Sequence, residues 1–241
     1  MKGIVLAAGK ATRLRPCTKV TSKGLLPVYN KPLIYYSLNT LIKAGIKEIL
    51  LIIAPEHAGH YLNLLGSGAK WGVQFTYEVQ EVARGIADAF IIGASFIGQD
   101  DVTMILGDNI FVDDLSEDIK SFKKGAKIFA KAVVDPERFG VVEVDDKGKA
   151  LSIEEKPKQP KSNLCVTGVY VYDKRVVEIA KDVKPSDRGE LEIADINNWY
   201  LNRGELEVAT LNEDWVDAGT FDSLLEAQII AKNKLQDKMI I

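Results

Sequence analysis

The 241-residue chain is poor in the residues that hold metals or staple small folds, with two cysteines and two histidines. Cys17 and Cys165 form no C-x-x-C pair and lie far from the histidines, so metal-ligand spacing is missing. They read as two reduced thiols of small hydrophobic character. Charge of one sign is lacking as well. Lysines are frequent, but acids accompany them in nearly every segment and the formal net charge is −3, which argues against a nucleic-acid partner. No apolar run approaches the length of a membrane span, and the opening Met1-Lys2-Gly3-Ile4-Val5-Leu6 is too soon interrupted by charge to act as a secretory signal. The expectation is a cytoplasmic protein with no membrane partner. Internal repeats, low-complexity tracts and Pro/Gly/Ser linkers are missing too. Neither G-x-G-x-x-G nor G-x-x-x-x-G-K-[ST] occurs, which leaves the dinucleotide-binding and P-loop readings without support.

What is present is the composition of an ordinary globular chain, 46% apolar and 27% charged, long enough to bury a sizeable core. Apolar, β-branched runs at Gly3 to Leu6, Ile49 to Ile53, Val73 to Tyr77 and Val102 to Leu106 predict strands. Helix-like stretches lie between the first, second and fourth of these runs. Pro32 to Ala44 places Ile34, Leu38, Leu41 and Ile42 on one helical face before Gly45, and Ala87 to Phe96 reads the same way. This alternation predicts an α/β fold with a Rossmann-like, mixed but mainly parallel central sheet flanked by helices.

After Phe111 the pattern changes. Ile128 to Val134, Val141 to Val144, Leu151 to Glu154 and Val166 to Tyr172 predict strands, and Asp145-Asp146-Lys147-Gly148 predicts a turn, so hairpins are expected in place of crossovers. A helix over Leu191 to Leu201, a strand over Leu206 to Leu211 and a final amphipathic helix over Phe221 to Asn233 follow. The expectation is one domain over residues 1–241, with residues 1–112 and 113–241 as its two halves.

Ligands of such sheets collect beyond the carboxyl ends of the strands, and two stretches end there. Leu6 to Arg13 offers Ala7, Ala8 and Gly9, whose backbone N–H groups can approach a triphosphate, with Arg13 to meet its charge. Leu106 to Asn109 offers Asp108, a strand-end carboxylate of the kind that holds magnesium together with substrate phosphates. Alone, a short small-residue loop is no more than a strand-to-helix connection. Arg13, Thr18 and Lys23-Gly24-Leu25-Leu26-Pro27 change that reading, because they set two cations in one turn-rich segment.

Here the sequence resembles a known family. "LAAGKATRLRPCTKVTSKGLLPVYNKPLIYY" is similar to the opening signature of the sugar-phosphate nucleotidyltransferases, a small-residue loop ending G-T-R-L followed by K-x-L-L-P. "EVQEVARGIADAF", "LGDNIF", "DPERFGVVEVDDKGKALSIEEKPKQPKSN", "VTGVYVYD", "KPSDRGELEIADINNWYL" and "WVDAGTFDSLLEA" follow in order and at similar spacing, so the resemblance spans nearly the whole chain. It is strongest to the bacterial branch that joins dTTP to glucose 1-phosphate, giving dTDP-glucose for polysaccharide or deoxysugar synthesis.

The resemblance implies roles. Arg13 and Lys23 act on the triphosphate and the reacting phosphate, and Asp108 and Asp217 hold Mg2+. Leu6, Ala8 and Gly9 line the nucleotide, while Gln80 and Gly85 meet the pyrimidine base. Gly140, Glu155, Lys156, Val166 and Arg188 contact the hexose or its phosphate. Trp215 is equally a wall of the sugar pocket or a packing residue. An oxygen of the sugar 1-phosphate attacks the α-phosphorus and pyrophosphate leaves on the opposite side, work for magnesium and fixed cations more than for a base.

Two departures from the pattern stand out. Ala11 occupies a usual glycine position, where a left-handed backbone would cost about 1–2 kcal/mol. Longer family members continue beyond the segment matching Ile230, so a monomer or dimer is as compatible as a larger homo-oligomer. UTP is the nearest alternative nucleotide, since Gln80 can bond the imide edge shared by uracil and thymine, and one methyl gives only about 1–3 kcal/mol of discrimination. A catalytically weak nucleotide-sugar-binding regulator is the alternative of another class. A related glycosyltransferase would want Asp-x-Asp, whereas Asn109 and Ile110 follow Asp108.

Overall fold

The computed structural model describes residues 1–241. β1 (Lys2–Ala7) leads through three short 3-10 turns, at Thr12–Leu14, Cys17–Lys19 and Lys23–Leu25, into a small ribbon of β2 (Pro27–Val28) and β3 (Lys31–Pro32). Then come α1 (Ile34–Lys43), β4 (Glu48–Ile53), α2 (Ala58–Leu65), β5 (Gln74–Val79), α3 (Asp88–Ile92), α4 (Ala94–Ile97) and β6 (Val102–Leu106). The second part comprises β7 (Asn109–Phe111), α5 (Ser116–Lys120), β8 (Ala126–Ala132), β9 (Gly140–Val144), β10 (Ala150–Glu155) and β11 (Leu164–Tyr172). It ends with α6 (Val176–Asp182), α7 (Ile193–Leu201), β12 (Leu206–Thr210), β13 (Trp215–Asp217) and α8 (Phe221–Ile230).

One nine-stranded mixed sheet joins both parts in the order β10-β9-β11-β6-β1-β4-β5, with β8 and β12 branching from β11. β1 lies parallel between β4 and β6, and β5 continues parallel beyond β4. Their sequence explains the placement, since five of the six residues of β4 are buried, as a strand covered on both faces requires. Alternate residues serve opposite faces: Ile4, Leu50 and Met104 enter one core cluster, Val5, Leu51 and Ile105 the other. Each such fully buried side chain contributes roughly 1.5–3 kcal/mol.

Helix α1 buries Ile34, Leu38, Leu41 and Ile42 as their spacing predicts. The helix expected over Ala87 to Phe96 is two short helices broken at Gly93, where the backbone leaves the helical region (φ −79°, ψ 5°). The hairpin reading of the second part holds for β9 and β10, whose turn is locked by Asp145 accepting from the backbone N–H groups of Lys147 and Lys149. A crossover nevertheless persists there: β12 returns through α6 and α7 to lie parallel to β8. Helix α8 opens with a capping box between Thr220 and Ser223. It is not the amphipathic element expected, because Phe221, Leu225 and Ile229 form an exposed apolar row while Ala227 and Ile230 are buried. It continues into a π turn at Ala231–Leu235, not as far as expected in α form.

Candidate active site

The carboxyl ends of β1 and β6 sit side by side, with Leu6 opposite Leu106. Two cavities open there and share Ile86 and Leu106 as walls. The smaller, about 160 Å³, is lined by Leu6, Ala7, Gly9, Lys23 and Asp108 among others. The larger, about 380 Å³, takes Gly140, Glu155 and Val166 from the antiparallel strands and Lys156 from just beyond β10, with Arg13 and Asp217 also in its lining. Thus Arg13, Gly140, Glu155, Lys156, Val166 and Asp217 come together, as do Leu6, Gly9, Lys23 and Asp108.

The loop after β1 turns at Ala11, which adopts the left-handed conformation (φ 46°, ψ 41°) that the usual glycine would accept more readily. Its carbonyl accepts from the Thr18 hydroxyl at 2.7 Å and from the backbone N–H of Leu14 at 3.1 Å, so the strained residue anchors the turn that presents Arg13. Lys23 is positioned by Ser22, whose hydroxyl lies 2.8 Å from that of the buried Tyr61. Burial pushes the Tyr61 phenol up to about 12.

Asp108 and Asp217 stand on adjoining elements, since β7 and β13 pair in register with Asp217 opposite Asn109. Burial opposes ionisation of Asp108, but the Lys23 ammonium, which donates directly to its Oδ2, outweighs that, and with Asn109 holds the carboxyl below its usual range. Asp217 goes the other way: burial first, then the facing Asp108 charge, push it up to about 7. Its Oδ1 is buried without a hydrogen-bond partner. A divalent cation fits this pair. Two facing carboxylates, one with an unpartnered oxygen, are the donor set such an ion takes when substrate phosphates complete its shell. Arg13 lies against the turn after Asp217 only because Gly219 has no side chain, for a Cβ there would sit 2.6 Å from the guanidinium.

Asn109, unassigned from the sequence, organises this corner. Its Nδ2 donates to Asp108 (3.0 Å), and its Oδ1 accepts from Trp215 Nε1 (2.6 Å) and from the backbone N–H of Gly168 (3.1 Å). Trp215 thereby forms a wall of the larger cavity, edge-on to Phe139. Tyr170 and Asn197 also line that cavity. Only the position of Asn109 inside "LGDN" could have drawn attention to it, and nothing local marks the other two. Lys156 holds a left-handed backbone (φ 45°) just before Pro157, with its N–H donating to Phe139, which turns it toward the cavity.

Four expected residues stand apart from the lining. Ala8 is buried at 4% exposure, and Ala7 takes the lining position beside Leu6. Gln80 lines a separate surface recess beyond β5 with Arg84 and Asp88. Gly85 (φ +105°) packs on Leu191 so closely that a Cβ would lie 2.5 Å from its carbonyl oxygen. Arg188 lies outside the larger cavity, bridged to Glu192 (2.9 Å), Glu155 (3.4 Å) and Glu190 (3.5 Å), and reaches the site only through Glu155.

The nucleotidyl transferase family model matches residues 2–234. The glucose-1-phosphate thymidylyltransferase of Neisseria meningitidis serogroup A / serotype 4A is 52% identical over 233 residues, 94% of this chain and 81% of that protein. A Bacillus anthracis protein assigned as a glucose-1-phosphate thymidylyltransferase, solved in complex with a sucrose, superposes with a TM-score of 0.91 at 49% identity, covering 97% of this chain and 96% of that one. A UDP-glucose pyrophosphorylase solved with UDP-glucose shares the fold, with a TM-score of 0.84 at 23% identity over 97% of this chain and 98% of that one.

Proposed function

Because the chain belongs to the nucleotidyl transferase family, we propose that it joins dTTP to α-D-glucose 1-phosphate, forming dTDP-glucose and releasing pyrophosphate. The observation that carries this reading is the meeting of two cavities at one cluster of Lys23, Asp108, Asp217 and Arg13. The smaller cavity, backed by the small-residue loop after β1, suits the triphosphate. The larger, with Glu155 and Lys156 beside the apolar Val166 and Trp215, suits a hexose phosphate.

In this reading an oxygen of the sugar phosphate attacks the α-phosphorus, the bond from that phosphorus to the bridging oxygen breaks, and pyrophosphate takes the electron pair. The nucleophile is already ionised near neutral pH, so no general base is needed. Arg13 and Lys23 hold the phosphates in line and stabilise charge spread over their oxygens. Asp108 and Asp217 would hold magnesium, which when bound neutralises phosphate charge and polarises the reacting centre. Glu155 accepts from sugar hydroxyls, and Asn109 keeps Trp215 and Asp108 in place around the two substrates.

The test is pyrophosphate release with magnesium and glucose 1-phosphate, offering dTTP, UTP, CTP, ATP and GTP separately. Release with dTTP well above the others is expected. Preference for UTP would reassign the nucleotide, and no release with any nucleotide across several sugar 1-phosphates would leave binding without turnover.

A further inference from the structure

The recess beyond β5, where the family resemblance places the pyrimidine base against Gln80, contains an arrangement around Asp88 to which the reaction above assigns no role. Gln80 follows β5 directly, is 6% exposed, and is tied by its backbone N–H to the Ile53 carbonyl at the end of β4 (3.0 Å). Its Nε2 donates to Asp88 Oδ2 at 2.9 Å. Asp88, the first residue of α3, is 1% exposed, and its other oxygen accepts from Arg84 at 2.7 Å. Arg84 is itself held by its carbonyl, which accepts from the Leu191 N–H at 2.6 Å.

An amide side chain can turn over, exchanging its oxygen and nitrogen, unless its surroundings forbid it. Here they do. An ionised carboxylate accepts only, so the amide must show it the NH2 group and must point Oε1 elsewhere. Gln80 Oε1 accepts no hydrogen bond from the protein and is not sealed in the interior, so it is open to solvent or to a donor on a ligand.

From this geometry we propose that Asp88, braced by Arg84, is a positioning residue for base selection: it fixes the Gln80 amide so that the base meets an acceptor. The proposal rests on the nucleotide reading above. Thymine and uracil offer an N–H at ring position 3 beside a carbonyl, and so match a fixed Oε1 with the second N–H of Nε2. Cytosine presents a bare ring nitrogen beside an amino group, and both contacts oppose. In Asp88→Asn the single oxygen of the new amide is claimed by Arg84, its NH2 faces Gln80, and Gln80 turns over. The base then meets a donor, and the preference moves toward cytosine.

The probes are dTTP and 5-methyl-dCTP, which share sugar and methyl group and differ only at that edge. Calorimetric dissociation constants are measured for wild type, Asp88→Asn, Asp88→Ala and each of these combined with Gln80→Ala. Wild type is expected to favour dTTP. Asp88→Asn should shift the ratio of the two constants toward 5-methyl-dCTP by at least roughly ten-fold, with Asp88→Ala in between. Neither substitution at position 88 should move the ratio when Gln80→Ala is present. Should Asp88→Asn not fold, the Asp88→Ala pair carries the same decision. An unchanged ratio in folded variants, a shift that survives Gln80→Ala, or a wild type binding both nucleotides alike or neither would overturn the proposal. Selective binding of dTTP without turnover would count against the proposed reaction while leaving the role of Asp88 intact.

Discussion

The parallel and antiparallel parts of the sheet build their cavities by different means. On the parallel side the smaller cavity is drawn mostly from two short stretches, at the ends of β1 and β6, with Lys23 from the neighbouring turn. On the antiparallel side the larger cavity gathers Gly140, Glu155, Val166, Asn197 and Trp215 from five separate elements. A cavity of backbone and small residues tolerates little change of conformation, whereas one of side chains depends on its supporting contacts. The two sides should therefore fail differently.

The largest expected effect is on the cations where the two sides meet. Lys23→Ala and Arg13→Ala should each lower turnover by roughly 10²–10³-fold, the effect of removing one fixed electrostatic donor. They should differ in stability. Lys23→Ala strips Asp108 of its ion pair and lowers the melting temperature, while Arg13, which makes no ion pair, can be removed at little cost. Near wild-type turnover in either variant, by steady-state kinetics, would remove the shared-cluster mechanism.

Asn109→Ala comes next. It leaves the Gly168 N–H and the Trp215 indole without their acceptor, a loss of about 1–3 kcal/mol. The expected readout is a KM for glucose 1-phosphate raised on the order of ten- to a hundred-fold, with that for dTTP nearly unchanged. Equal rises for both substrates would erase the distinction between the sides.

Asp173, at the end of β11 and away from both cavities, provides a control. Burial opposes its ionisation, but hydrogen bonds from Arg175, the Gly125 N–H and Tyr200 hold its carboxyl below the usual range. A lowered folded-state value stabilises the fold above about pH 4, and the contribution fades as pH falls through that lower value. Asp173→Asn should cost roughly 1–3 kcal/mol at neutral pH and flatten the acid limb of the stability curve, with turnover retained. Urea melts from pH 3 to 7 check this, and a large loss of turnover in the folded variant would tie this cluster to the site after all. The smallest effect belongs to Ala11→Gly. Relieving a left-handed alanine should gain about 1 kcal/mol or less, visible as a higher urea midpoint. A loss instead would mean the turn is unstrained.

The same contrast explains what could be read beforehand. Val5, Leu51 and Ile105 lie in apolar runs whose pattern is local, so the parallel core was legible, and the segment after β1 carries Arg13 and Lys23 within eleven residues of sequence. Helix α2 was not visible because Gly59 and His60 in its first turn are exposed and only Tyr61 and Leu65 are buried. At the break, Gly93 packs so closely that a Cβ would lie 3.1 Å from both Ile4 and Leu50, a crowding that no local pattern contains. On the antiparallel side Gly140, Glu155, Lys156 and Val166 were reachable through family resemblance alone. Tyr170 stayed hidden because its place follows from the register of β11, which shifts between Val166 and Tyr170, and Asn197 because its partner, the Tyr172 hydroxyl that donates to its Oδ1, lies on a separate strand. Arg188, which the resemblance places at the hexose or its phosphate, is instead engaged by three carboxylates from two separate segments, Glu155 and the Glu190–Glu192 stretch, a neighbourhood that no local pattern contains.

The ribbon of β7 and β13 has a consequence in the order of synthesis. Asp108 is made before the middle of the chain, yet the carboxylate that faces it arrives on a strand of three residues near the end, held by three residue pairs. A growing chain could complete the loop after β1, Lys23 and Asp108 while still attached to the ribosome. It would bring the second carboxylate to the cluster only once Trp215–Asp217 had emerged and paired, so competence for the reaction comes late in translation.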